Sequence, residues 1–314
     1  VTLRLPALAL LLAGCTPGPP SSPPPPPPDA SPPPGPSNDR IVNGVPAAPG
    51  SARWQVELRR ATPYATPSPL PDWQRRHSCG GVLIAADWVL TAAHCIGPTT
   101  KADYVVRAGS LDLRGPMREY RIVRIMVHAG YDERGAPPLH DIALLRIAAI
   151  GPPIPVDEEP APIALLGTGT APPTLPATAR VTVTGWGYTT EGVRADTPQA
   201  ILAARRSSPS ALLAAVLRLV PAAACMIPGT NRAIDPALHL CAGPNDPLRP
   251  SDSCQGDSGG PLTWQGPGGR WYLVGLVSWG PRQACGGGTP GVYTNIRAHL
   301  DWIEKAKLAP EARV

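Results

Sequence analysis

Short apolar runs recur along the chain, and clusters of glycine, proline and polar residues separate them. Trp54 to Leu58 alternates loosely. Gly81 to Ile84 and Trp88 to Thr91 are rich in β-formers with a turn between them. Tyr104 to Ala108, Arg121 to Val127 and Ile142 to Ile147 continue the series. Arg180 to Thr184, Trp271 to Ser278 and Gly291 to Ile296 complete it. Many short strands without a repeating strand–helix alternation predict an all-β barrel or sandwich. Two stretches read as helical. Ser210 to Val220 is rich in Ala and Leu, with Ser210 as its N-cap. Asn295 to Leu308 puts Ile296, Leu300 and Ile303 on one face with Trp302 flanking, which predicts a C-terminal helix docked on the strands. Proline-rich segments at 62–71, 151–162 and 169–176 read as surface loops.

The first forty residues do not follow this pattern. Leu5 to Ala13 is a short apolar run preceded by Arg4. It is too short to span a bilayer as a helix, which takes about 20 residues, and has the size of a secretory h-region. It ends in Leu11-Leu12-Ala13-Gly14-Cys15, which resembles the bacterial lipobox. The expectation is a lipidated Cys15 and an exported, cell-envelope protein. Thr16 to Asn38 is proline with Ser, Gly and Asp. Proline locks φ and cannot donate to a ladder, so this predicts an extended tether of roughly 70 Å at about 3.1 Å per residue. The expected division is a signal peptide at 1–15, a tether or propeptide at 16–40 and a folded domain at 41–314.

Cysteine usage supports export. Of seven cysteines, Cys15 stands apart, and Cys79, Cys95, Cys225, Cys241, Cys254 and Cys285 remain. An even set behind an export signal reads as disulfides, with 15 connectivities open. No pair has the C-x-x-C spacing of zinc sites, so no metal is expected. The net charge of +5 comes from scattered arginines without a basic, aromatic-interleaved cluster, which argues against nucleic acid as a partner.

Chemistry concentrates in Asp252-Ser253-Cys254-Gln255-Gly256-Asp257-Ser258-Gly259-Gly260-Pro261. Glycines fill no volume and buried carboxylates need partners, so this is a poor core segment. It suits a tight loop presenting Ser258 beside converging backbone N–H groups. A serine needs a base and an orienting acid to act as a nucleophile. Among six histidines, His94 lies in Leu90-Thr91-Ala92-Ala93-His94-Cys95, at a strand end and beside a cysteine that can pin it. Asp141 opens the apolar run Ile142-Ala143-Leu144-Leu145, where a carboxylate must find a donor.

The order His, Asp, Ser differs from the orders in two unrelated hydrolase folds. It resembles the chymotrypsin/trypsin family of serine endopeptidases. The matching stretches are Ile41-Val42-Asn43-Gly44, Cys79-Gly80-Gly81, Thr91 to Cys95, Asp141 to Leu145, Gly185-Trp186-Gly187, Asp252 to Pro261, Ser278-Trp279-Gly280 and Pro290-Gly291-Val292-Tyr293. They run in family order from Ile41 to about Leu308. The resemblance implies two six-stranded antiparallel β-barrels with the site between them, and disulfides Cys79–Cys95, Cys225–Cys241 and Cys254–Cys285. It leaves Cys15 free for lipid.

The resemblance also implies the roles. Ser258 attacks the scissile carbonyl, His94 shuttles the proton, and Asp141 holds the imidazole; these roles are those of the family's own template. The N–H groups of Gly256 and Ser258 form the oxyanion hole. Asp252 lies at the floor of the primary pocket, and its carboxylate suits substrates with Arg or Lys before the scissile bond. Ser253, Ser278, Trp279, Gly280 and Gly291 complete the substrate-binding residues. Cleavage between Arg40 and Ile41, by a trypsin-like protease or by the enzyme itself, frees an amine that pairs with Asp257. Membrane attachment through Cys15 ends at that cut.

Two features depart from the family pattern: a long Ala/Leu-rich span from Thr197 to Cys225, and no paired acids around Glu119 where the family's calcium loop lies. No cofactor is expected. The competing readings are a catalytically inactive binding module on the same fold and a structural envelope lipoprotein whose proline tract is the active part.

Overall fold

The computed structural model describes Val1 and residues 41–63, 68–97, 101–134, 138–189, 197–225, 234–248, 250–280, 285–286 and 289–310. The chain divides by contacts into Val1–Ser37 and Asn38–Val314. Apart from Val1, the first unit lies outside the described residues, and with it Cys15 and nearly all of the proline tract. Arg40 lies outside them too.

The second unit is built from strands. After a short β1 (Val45–Pro46) come β2 (Gln55–Arg60), β3 (His77–Ala85), β4 (Trp88–Thr91), β5 (Tyr104–Ala108), β6 (Arg118–Val127) and β7 (Ala143–Ala149). A two-residue β8 (Ala164–Leu165) precedes β9 (Arg180–Gly185), β10 (Leu213–Val220), β11 (His239–Pro244), β12 (Pro261–Gln265), β13 (Trp271–Trp279) and β14 (Gly291–Asn295). The helices are α1 (Asp72–Arg76), α2 (Pro198–Arg206) and α3 (Leu300–Leu308). Among the described residues, no helix is long and apolar enough to cross a membrane.

Strands β2 to β7 close into one barrel in the order β2-β3-β4-β7-β6-β5. Strands β9 to β14 close into a second, because β10 pairs with both β11 and β9. Within each ring the neighbours are antiparallel. β1 adds to β10, and β8 adds a short parallel pairing to β13. This is the expected pair of six-stranded antiparallel barrels with a C-terminal helix.

Each barrel has its own core. Val56, Leu58, Val106, Ile122 and Leu145 fill the first. Ile41, Val183, Leu217, Leu262 and Tyr293 fill the second. A third cluster lies across the seam. It joins Val82, Leu90, Ile142 and Leu144 of the first barrel to Leu273 and Leu276 of the second and to Ile296, Ile303 and Ala306. Helix α3 thus fastens one barrel to the other, and burying each such aliphatic side chain contributes about 1.5–3 kcal/mol. The helix starts later than expected. Ile296–His299 forms a 3-10 turn first, and the Asn295 side chain accepts the Arg297 N–H at 3.1 Å.

One expectation is wrong. Ser210 to Val220 is not a helix, because Leu213–Val220 is strand β10. Leu213, Ala215, Leu217 and Leu219 are buried, while Val216 and Arg218 are exposed. That alternation has the period of a strand, and pairing on both sides overrides the helix propensity of Ala and Leu. The helix of this span lies upstream, at α2. Strands β11 and β12 also complete the second barrel where no strand was expected. Of the expected surface loops, 62–71 includes residues 64–67, which lie outside the described set.

Candidate active site

Asp141 leads into β7 next to the fully buried Ile142. Its own side chain is inaccessible to solvent. Oδ2 lies 2.7 Å from His94 Nδ1, and Oδ1 accepts the His94 backbone N–H at 3.0 Å. A carboxylate only accepts, so Nδ1 carries the proton and Nε2 is left with its lone pair. The Ser278 hydroxyl of β13 donates to Oδ2 at 2.6 Å, and the Thr294 hydroxyl of β14 donates to the Asp141 carbonyl at 2.8 Å. An acid from the first barrel is therefore gripped by two residues of the second. Burial pushes the Asp141 carboxyl up, but the bonds from His94 and Ser278 outweigh it and hold the group below the usual carboxylate range.

His94 sits in a 3-10 turn, Ala93–Cys95, directly after β4. The Cys79–Cys95 disulfide ties that turn to β3. The imidazole side chain is 32% exposed, so one edge faces the surface while the other faces Asp141.

The Ser258 loop is stitched to both barrels. The Ser258 carbonyl accepts the Gly80 N–H of β3 at 2.8 Å, and the Gly259 N–H donates to the Val277 carbonyl of β13 at 2.7 Å. A Cβ on Gly259 would lie 2.1 Å from Thr91 Oγ1 and 2.8 Å from the Ala92 nitrogen. The serine loop is thus seated on the strand end that carries His94. Gly256 has φ +98°, a conformation glycine adopts readily, and a Cβ there would meet the Gly187 Cα at 3.0 Å.

Asp257 is fully buried. Its Oδ1 accepts the Gly187 N–H at 2.7 Å and its Oδ2 accepts the Cys254 N–H at 2.8 Å. Burial raises its carboxyl to about 6, against the pull of those two bonds. A Cβ on Gly185 or Gly187 would fall 2.0 or 2.5 Å from the Asp257 side chain, so the Gly-Trp-Gly run is a cradle for this carboxylate. Ile41 is fully buried in the second barrel's core, and Val42 bridges Asp252. The segment beginning at residue 41 is therefore already seated beside the serine loop.

Asp252 is 7% exposed, and burial raises its carboxyl to about 7. Oδ2 accepts a long contact from the Gly286 N–H at 3.4 Å, and the Ser253 backbone also bonds the carboxyl. Gly291 faces it, where a Cβ would come within 3.3 Å of Oδ1, and Gly280 has open space around it. A buried carboxylate facing a position without a side chain, Gly291, can receive a cation that enters end-on. Ser253 Oγ lies 3.1 Å from the Tyr293 hydroxyl, so it is already partnered. Trp279 pairs with Val292 beside this pocket. The Ser278 side chain turns to Asp141.

The bridges Cys79–Cys95, Cys225–Cys241 and Cys254–Cys285 are all present. The last fastens the Ser258 loop to the segment holding Gly286. Three disulfides fit an extracellular or otherwise oxidising compartment.

His77 was not expected at the site. Its Nε2–H donates to the Gly256 carbonyl at 3.0 Å, and its Nδ1 faces the buried Glu57 at 3.3 Å. Glu57 is in turn paired with Arg107 Nη1 at 2.9 Å. His77 therefore fixes which way the Gly256 peptide faces. Little in the sequence signalled it: Glu57 lies on the face of β2 opposite the core residues Val56 and Leu58, where alternation predicts exposure, and it is buried.

Comparison with known proteins agrees with this geometry. A family model described as Trypsin matches residues 41–303. Vitamin K-dependent protein C of Mus musculus is 35% identical over 268 residues, covering 84% of this chain and 51% of that protein. The Rattus norvegicus protein gives the same identity and coverage. The Oryctolagus cuniculus protein is 34% identical over 282 residues, covering 87% of the chain and 54% of its own length. The chain spans about half the length of these relatives. The family match spans both barrels and includes His94, Asp141 and Ser258, and the chain belongs to the trypsin family of serine proteases.

Proposed function

We propose that the domain is an active endopeptidase that cleaves after Arg or Lys through an acyl-enzyme. Membership of the family makes it a hydrolase fold acting on protein substrates; the finer reading rests on the site. The observation that supports it most is the fixed His94–Asp141 pair. With Nδ1–H committed to Asp141, Nε2 is the basic nitrogen that can take the Ser258 proton. As Ser258 Oγ bonds to the scissile carbon, that proton moves to Nε2 and the carbonyl electrons move to oxygen. His94 then gives the proton to the departing amine, and water repeats the sequence on the ester. Asp141 stabilises the imidazolium in both halves. The Gly256 and Ser258 N–H groups hold the oxyanion, each contributing about 3 kcal/mol in the transition state.

Asp252 supplies specificity. A guanidinium or ammonium entering the pocket meets a carboxylate that burial has left poorly solvated, so pairing relieves a cost already present. Asp257 supplies activation. Cleavage at Arg40–Ile41 frees an α-amino group beside a buried carboxylate, and the resulting ion pair orders the Gly256–Ser258 backbone. The precursor is then weakly active.

The location reading extends this scheme. Cys15 holds the precursor at a membrane through its lipid, and the cut at Arg40 separates the protease from that anchor. Fractionation of wild type and Arg40→Gln tests it: the wild-type domain should become soluble on cleavage while the variant stays with the membrane. A cleaved domain that remains membrane-bound contradicts it.

Profiling the domain, cut at Arg40–Ile41, on a peptide library tests specificity. Cleavage confined to bonds after Arg and Lys is expected; a preference for aromatic or aliphatic residues at that position overturns the role of Asp252.

A further inference from the structure

Beside Asp141, three histidines meet. His128 follows β6, His140 precedes Asp141, and His299 ends the 3-10 turn before α3. One ring nitrogen or more from each lies within 4.8 Å of the others. The His128 and His140 rings stack with centroids 4.3 Å apart, and His299 stands nearly perpendicular to both.

The polar contacts give these rings defined orientations. The buried His299 places its Nδ1 2.8 Å from the Asn295 carbonyl. A carbonyl only accepts, so Nδ1 holds the proton and Nε2 presents its lone pair to the cluster. That arrangement, a backbone carbonyl on the far nitrogen, is the usual support of a metal-binding imidazole. His299 Nε2 accepts a hydrogen bond from His140 Nδ1–H at 3.2 Å, and an ion would take the place of that proton. Two nitrogens each about 2.0–2.1 Å from a tetrahedral zinc are roughly 3.3 Å apart. His140 and His128 are partly exposed, which leaves a route in, and sharing one ion requires their stacked rings to turn so that both lone pairs converge. His128 Nδ1 now accepts the Gly130 N–H at 3.0 Å, in an exposed turn where water can take over that bond.

We propose that His128, His140 and His299 bind one divalent transition-metal ion of the zinc class. Neutral imidazoles suit zinc, copper and nickel and not magnesium or calcium. The sequence offered no spacing motif for this site, because His128 and His140 flank the paired strands β6 and β7 while His299 comes from the C-terminal segment. His140 has φ +48° and is joined directly to Asp141. An ion held by His140 therefore sits one peptide bond from the acid of the catalytic pair. The other grouping of suitable residues, Cys79, His94 and Cys95, offers no thiolate, because its two sulfurs form a disulfide.

Calorimetric titration of zinc chloride into the chelator-treated full chain tests the proposal. One equivalent should bind, with excess magnesium failing to compete. His128→Ala and His140→Asn should each weaken binding by about 10-fold or more, and His94→Ala should leave it unchanged. Asn tolerates the left-handed backbone at 140, and His128 is partly exposed, so both variants suit a folded protein. No zinc uptake by the wild type, or unchanged affinity in either cluster variant, overturns the site. Binding abolished by His94→Ala places the ion at the active site and overturns it equally.

Discussion

Asp141 holds His94 by two atoms at once, the ring Nδ1 at 2.7 Å and the backbone N–H at 3.0 Å. The double grip fixes both the tautomer and the position of the turn carrying the ring. Asp141→Asn keeps the shape but can present an N–H to Nδ1, which favours the wrong tautomer. We expect turnover to fall by about 10⁴-fold, the figure known from the family's own template. Steady-state kinetics with an arginine ester or amide substrate checks it. A loss below about 10-fold would mean that Asp141 does not set the state of His94.

The Ser278 hydroxyl offers a test through acid stability. Asp141 has a folded pKa below its unfolded value, so it contributes stability above the unfolded pKa that is lost as pH falls through the folded one. Ser278→Ala removes one of the bonds that lower it. The folded pKa rises, and acid unfolding should begin at higher pH than in wild type. Circular dichroism against pH reads the midpoint. An unshifted midpoint contradicts the bond's contribution.

Asp252 titrates in the opposite sense. Its carboxyl is raised to about 7, so in the free enzyme the charged form that pairs with a cation gains ground as pH rises through that value. Affinity for an amidine inhibitor should therefore increase from pH 5.5 to 8, by up to about tenfold per pH unit below the pKa. Asp252→Ser should abolish both the affinity and its pH dependence, and cost about 3–5 kcal/mol on arginine substrates because a buried cation loses its partner. Flat affinity across that range argues that Asp252 is not the recognition group.

The Gly185 and Gly187 cradle predicts a sharp contrast among glycines. Gly187→Ala puts a methyl 2.5 Å from the Asp257 carboxylate, in a place with no room to relax. We expect about 1–3 kcal/mol or more of destabilisation and a loss of activity after cleavage. Gly50→Ala, at φ +78° with open space around it, should cost only about 1 kcal/mol. Denaturant unfolding of the two variants decides. Equal effects would mean that Asp257 is not held where the cradle places it.

The alternation in β10 gives a purely structural prediction. Leu217 is fully buried and its neighbour Val216 is 40% exposed. Leu217→Ala should cost about 2–5 kcal/mol, and Val216→Thr within about 0.5 kcal/mol. Comparable losses at both positions would contradict a strand with one face inward.

Much of the site was legible in the chain because its chemistry is local. The ten residues from Asp252 to Pro261 bring Asp252, Asp257 and Ser258 together, and Asp141 sits beside an apolar run that betrays its burial. Strand β10 was misread because Ala and Leu favour helices in isolation, while its environment, a partner on each side, is set by distant segments. His77 was passed over because its partners, Glu57 and the Gly256 carbonyl, lie 20 and 179 residues away. The link of the Ser278 hydroxyl to Asp141 crosses 137 residues and both barrels. Contacts made across the barrel seam leave no period or spacing to read.

The central claim is that this chain carries a serine made reactive by His94 and Asp141 and switched on at Arg40–Ile41. Labelling with a serine-directed phosphonate, before and after that cut, tests it most directly. The account predicts about one equivalent of label on Ser258 after cleavage, far less before it, and none in Ser258→Ala. Failure of the cleaved protein to label at Ser258, or equal labelling in Ser258→Ala, would contradict it.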